Sequence, residues 1–312
     1  MTIRFPLALR IGLKAAISAA LLAALFLHTP LAQIGGVLSR LSPAAALAGL
    51  ALAFATWGLS AFRLWLLAFG FPLGAVTRMT FVGMYYGTVL PGQVAGDVVK
   101  AYRLGAGASA PGLAAAATFV DRAVALAGLL VASAIAMPWV GELPSRLGTT
   151  VAVAAAASVL ILVLGSHRRV RRLLLDAPPG GKSGPGRIAA SFASGLRQVL
   201  ERHGRLAANF AVAVAYHAVC VAIHVIVGSA LGIELSFAAW CVTYAGVSLL
   251  TLLPVSIAGL GMREGGYVGL LGLFGIAPPQ ALSLSLLIFG YALVGALAGA
   301  VADFPGRSKS PR

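Results

Sequence analysis

The chain has 312 residues, 60% of them hydrophobic and only 10% charged, with a formal net charge of +15. Soluble domains average about a quarter charged residues, so water is excluded as the bulk solvent of this sequence. The basic residues gather at three places, Arg4 to Lys14, His167 to Arg205 and Arg307 to Arg312; this reads as membrane topology and attraction to anionic lipid rather than as a nucleic-acid partner.

In chain order, the basic start followed by a long apolar run predicts an uncleaved first span over about 12–29. The loop after it holds one basic residue, Arg40, and lies outside; a second span over 43–69 returns to Arg63 and Arg78 near the cytoplasmic face. The run "MTFVGMYYGTVLP" is too short to cross and is soon followed by Lys100 and Arg103, so residues around 77–104 form a hairpin that enters from the cytoplasm and goes back. A third span (112–137), a fourth (148–165), a basic cytoplasmic loop (166–205) and a fifth span (206–231) follow. Residues around 237–276 form a second hairpin, entering from outside, and a last span (281–302) leads to a basic tail.

No alternating segments of a β-barrel are present. The predicted fold is all-α and polytopic, with about six full spans plus two re-entrant hairpins, multi-pass in the cell (inner) membrane, both termini cytoplasmic. Residues 1–137 and 138–312 each read span, span, hairpin, span, the first from inside and the second from outside, which makes them two inverted-topology repeats. That architecture belongs to transporters, and paired helix interruptions point to the substrate site.

The interruptions resemble each other: "LPGQVAGD" from Leu90 and "LPVSIAGL" from Leu253. Pro91 and Gly92 break the first hairpin, with Gly96 and Asp97 opening its returning limb; Pro254, Ser256, Gly259 and Gly261 break the second, with Arg263 and Glu264 opening the next half-helix. Non-helical backbone at membrane depth needs protein or a wet cavity around it, and helix N-termini favour anions. Intramembrane charge is costly and marks function or pairing, which singles out Asp97, Asp121, Arg122, Arg263 and Glu264. Asp121 and Arg122 read either as an internal pair or as part of the substrate path; Lys100 and Arg103 read either as a cytoplasmic docking patch for a headgroup or as topology alone. His217, Cys220 and His224 share a helical face but bring no carboxylate, so no metal or cofactor is expected there. Walker, zincin and nucleophile-elbow motifs are missing, and no enzyme activity is expected.

At "LPGQVAGDVVKAYRL", "VDRAVALAGLL" and "LLPVSIAGLGMREGGYVGLL" the sequence resembles the flippase-like transmembrane domain of lysylphosphatidylglycerol synthases and the AglD-related membrane proteins that share it. The last stretch is the most specific, with Leu253, Pro254, Ser256, Gly259, Gly261, Arg263 and Glu264 in the family's order. The first departs from it, reading Val-Ala-Gly-Asp where such proteins often carry Gly-Gly before the acid. The resemblance implies a lipid translocase that moves a lipid or a lipid-linked anionic headgroup between leaflets, here without the synthase domain, with membrane lipids and lipid- or glycan-synthesis enzymes as partners. An ion-coupled carrier of a small polar solute, or a non-transporting partner of a glycosyltransferase, would share the same architecture.

Overall fold

A computed structural model describes residues 7–90, 94–141, 145–167, 184–253, 256 and 259–304. Among these residues there is no strand, and twelve α-helices follow one another. They are α1 (Leu7–His28), α2 (Leu31–Leu38), α3 (Pro43–Leu67), α4 (Leu73–Val89), α5 (Ala95–Gly107), α6 (Pro111–Ala136), α7 (Ser145–Ser166), α8 (Gly184–Leu200), α9 (His203–Ala230), α10 (Phe237–Leu252), α11 (Met262–Gly272) and α12 (Pro278–Asp303). Proline at the first position starts α3, α6 and α12, where its missing N–H costs nothing. Ser42 and Ser236 cap α3 and α10, each hydroxyl accepting from the amide three residues on at 3.2 Å.

Four helical stretches are long and apolar enough to cross a membrane: Pro43–Leu67, Pro111–Trp139, His203–Ala230 and Pro278–Asp303. A fifth is obtained if Ala16–Leu27 and Leu31–Leu38 count as one span bent by 79°. The chain is therefore a multi-pass helical membrane protein, and its described residues hold four such spans, or five, of the six expected. At the place of the fourth predicted span stands α7, Ser145–Ser166, whose described side chains include the apolar stretch Val153–Gly165.

Two stretches expected as loops are helical. Within 166–205, α8 forms because Ile188, Phe192 and Leu196 repeat every four residues, an apolar stripe hidden among basic and small residues. It lies against α6 so closely that a Cβ on Gly112 would stand 2.1 Å from the Ser191 carbonyl oxygen. In the predicted outer loop, α2 buries Ile34 beside α12, where the Ser283 hydroxyl reaches the Ile34 carbonyl at 3.4 Å.

With no water to expel between helices in lipid, close contact of small residues and complementary polar groups holds such bundles together. α3 and α9 pack along each other, α12 lies on α4, and α6 lies on α10; α2 and α7 pack on α12 and α6 in turn. A Cβ on Gly299 would meet the Phe81 carbonyl oxygen at 2.0 Å, so α12 and α4 touch backbone to backbone. The helix ends are regularly spaced. α9 and α10 stop 163 positions after α3 and α4 (230 against 67, 252 against 89), whereas α12 runs 167 positions after α6 at both its ends (278 against 111, 303 against 136).

Candidate functional site

The first hairpin is α4, a break, and α5. Pro91 and Gly92 lie outside the described residues. Gly96 lets the first turn of α5 press on α4, since a Cβ there would stand 2.1 Å from the Gly83 carbonyl oxygen. That contact turns Asp97, the third residue of α5, toward α6. The Asp97 carboxylate takes Lys100 Nζ on Oδ1 at 2.8 Å and Arg122 Nε on Oδ2. Asp97 and Lys100 are buried, but the Arg122 side chain is 52% exposed although it sits near the middle of α6. One carboxylate thus serves two cations, and the cluster carries a net charge of +1.

The second hairpin is α10, a break, and α11. Pro254 lies outside the described residues; Ser256 is buried, its hydroxyl with no hydrogen-bond partner among the described residues. Gly259 and Gly261 have φ of 76° and 82°, a region that L side chains strain to enter. Glu264, the third residue of α11, accepts the Gly261 amide on Oε2 at 2.7 Å, half of a capping box. Its other oxygen takes Arg263, with Nε at 3.1 Å, and the Ser285 hydroxyl at 3.4 Å. The Arg263 guanidinium lies 4.3 Å from the Phe289 ring centroid, a cation–π contact. Glu264 is 1% exposed and the Arg263 side chain 12%, so this pair is sealed and neutral.

Asp121 does not pair with its neighbour Arg122. It binds Arg63 of α3 in a fork, Nε to Oδ1 at 2.7 Å and Nη2 to Oδ2 at 3.1 Å. Asn209 of α9 donates to the same Oδ1 at 3.0 Å and to the Arg63 carbonyl at 2.7 Å. This buried node ties three spans. From sequence Arg63 reads as a marker of the cytoplasmic face and Asn209 carries no reading; one acid, one base and one amide in three separate apolar runs is the available signal.

The histidine face of α9 is also committed. A carbonyl only accepts, so His217 donates through Nε2 to Ala125 at 2.9 Å, and its Nδ1 takes the Tyr244 hydroxyl at 3.2 Å. His224 donates through Nδ1 to Cys220 at 2.7 Å and accepts from the Tyr267 hydroxyl on Nε2 at 2.6 Å. His217 thus ties α9 to α6 and α10, whereas His224 returns one bond to its own helix and ties α9 to α11 through Tyr267. No group of three or more His, Cys, Asp or Glu side chains placed to hold a metal ion occurs among the described residues. Beside the first hairpin, Arg103 pairs with Asp303 at the end of α12, Tyr86 donates to Asp303 at 2.9 Å, and Arg78 donates to the Ala302 carbonyl at 2.9 Å. Cations at a helix C-terminus suit its partial negative charge, and these fasten α12 to the hairpin.

Of the residues marked from sequence, the structure brings Gly96, Asp97 and Arg122 together around one break, and Gly261, Arg263 and Glu264 around the other. Asp121 stands apart from both, in the node with Arg63. No curated protein and no solved structure matches the chain. The family model described as the lysylphosphatidylglycerol synthase TM region matches residues 11–299, nearly its whole length, and the chain belongs to that family.

Proposed function

We propose that the protein is a lipid translocase that carries an anionic lipid headgroup between leaflets of the cell inner membrane, past the two helix breaks. The observation that carries this reading is the matched placement of charge. In each hairpin the third residue after the break is a buried carboxylate held by an arginine. Buried ions at an interrupted helix are expensive to keep in a membrane and are the mark of a substrate or ion pathway.

The equal spacing of helix ends supports two repeats over 1–137 and 138–312. The step from 163 to 167 places four extra residues in the second break. The exchanged packing supports it too, α6 on α10 as α12 on α4. With both termini cytoplasmic, the repeats run in opposite senses across the bilayer, and the breaks meet from opposite sides. Pro91, Gly92, Gly96, Pro254, Ser256, Gly259 and Gly261 shape the path. Arg122 and Arg263 offer positive charge along it. Asp97 and Glu264 orient those guanidiniums, Asp121 steadies the spans behind them, and the acyl chains stay in lipid.

The test is a leaflet-resolved assay on purified protein in liposomes containing fluorescent anionic or zwitterionic phospholipid, with dithionite added outside. The reading predicts protein-dependent loss of the protected inner-leaflet signal, faster for the anionic probe. Traces identical to protein-free liposomes for both probes would remove general phospholipid translocation.

A further inference from the structure

The first helix of the chain lies over the second break. Gly261, at the start of α11, is buried, and a Cβ built on it would stand 2.6 Å from Leu21 Cβ. Leu21 of α1 therefore rests on the glycine whose amide Glu264 holds. In the proposed second repeat the first helix, α7, lies on α6 instead. At the first break the Arg122 side chain stays 52% exposed.

The hold on α1 is narrow. Ala16, Ala19, Ala20, Ala23 and Ala24 are exposed, and the side facing the bundle is one stripe of Ser18, Leu21, Leu22 and Leu25. An apolar helix in hydrocarbon gains nothing by expelling water, so a thin contact holds it weakly. The next helix is seated differently. On α2, Ile34 is buried beside α12 and its carbonyl accepts from the Ser283 hydroxyl. Two residues, Thr29 and Pro30, join α1 to α2, and the axis turns there by 79°. Proline has no N–H to bond back across the joint, and its ring leaves ψ as the soft dihedral. Leu21 lies about 13 Å along α1 from Pro30, so a swing of about 20° carries it about 5 Å away and breaks the contact.

We infer that α1 is a hinged cover of the second break. It rests on Gly261 through Leu21 and swings about Pro30, baring the start of α11 to the bilayer while α2 stays on α12. The motion breaks neither the Arg263–Glu264 pair nor the contact of Arg263 with Phe289. The inference rests on the lipid-translocase reading and deepens it: the first helix of one repeat regulates access to the break of the other.

The experiment uses the full chain in phosphatidylcholine nanodiscs, with spin labels on Ala16→Cys and Leu297→Cys, both exposed positions. Cys220 and Cys241 are replaced by alanine, which keeps the Cys220 carbonyl that His224 uses. Pulsed electron resonance is expected to show two distances for this pair. A second pair, Leu47→Cys on α3 with Leu297→Cys on α12, reports the bundle and is expected to show one. Leu21→Ala removes the seat on Gly261 and shifts the α1 pair toward the swung position, leaving the bundle pair unchanged. A single α1 distance in both backgrounds, two distances in the bundle pair as well, or populations indifferent to Leu21→Ala each overturn the inference. The distances need no transport. A hinged α1 in a protein that moves no lipid would sink the translocase and leave the cover, whereas lipid movement with α1 fixed would do the reverse.

Discussion

The two hairpins place a carboxylate at the same step after a helix break, yet they use it oppositely. In α10–α11, Glu264 serves one arginine and one cap amide, and the cluster is neutral and shut away. In α4–α5, Asp97 serves two cations, and one of them is half open. A shared backbone device therefore does not fix a shared role. The count of charges around it decides whether the hairpin closes on itself or keeps an unmet demand for an anion.

The largest expected effect separates stability from activity. Arg263→Gln leaves Glu264 charged and buried, and unfolding in mixed micelles should show a loss of about 3–5 kcal/mol, the usual cost of breaking a buried pair. Arg122→Gln should shift the same unfolding curve by less than about 1 kcal/mol, because the lost partner is partly exposed and Lys100 remains. In the liposome assay, Arg122→Gln should nevertheless slow anionic lipid about tenfold or more, one charge-assisted contact being worth at least roughly 1.4 kcal/mol. If Arg122→Gln proves as destabilising as Arg263→Gln, the contrast between the hairpins is gone.

Glycine sharpens it at smaller scale. Gly96→Ala would drive a methyl into the Gly83 carbonyl and should cost about 1–3 kcal/mol by overpacking. Gly265→Ala, one residue past Glu264, meets nothing within 4 Å and should gain roughly 0.5–1 kcal/mol from helix propensity. Tyr267→Phe removes the hydroxyl from His224 and should cost about 1 kcal/mol in unfolding without changing the ratio of anionic to zwitterionic transport.

The breaks and their charges were legible in the sequence because Leu-Pro and Ala-Gly interrupt apolar runs, and any acid or base inside such a run is conspicuous. Their partners were not. Asp121 and Arg122 are adjacent in sequence, but successive residues on a helix point about 100° apart and face different neighbours. One therefore turned to α3 and the other to α5. The helix α8 was hidden for a related reason: its apolar stripe of Ile188, Phe192 and Leu196 is short and sits in a stretch whose glycines and arginines read as loop. The bend between α1 and α2 comes at Pro30, whose geometry allows either a kinked span or a turn.

The most direct test of translocation at the open hairpin is the ratio of anionic to zwitterionic lipid transport in liposomes, compared between wild type, Arg122→Gln and Arg122→Lys. The account predicts an anionic preference in wild type that collapses toward unity in Arg122→Gln and is retained in Arg122→Lys, with all three proteins folded. Protein-dependent transport with the same ratio in all three would contradict it, because Arg122 would then have no part in choosing what crosses.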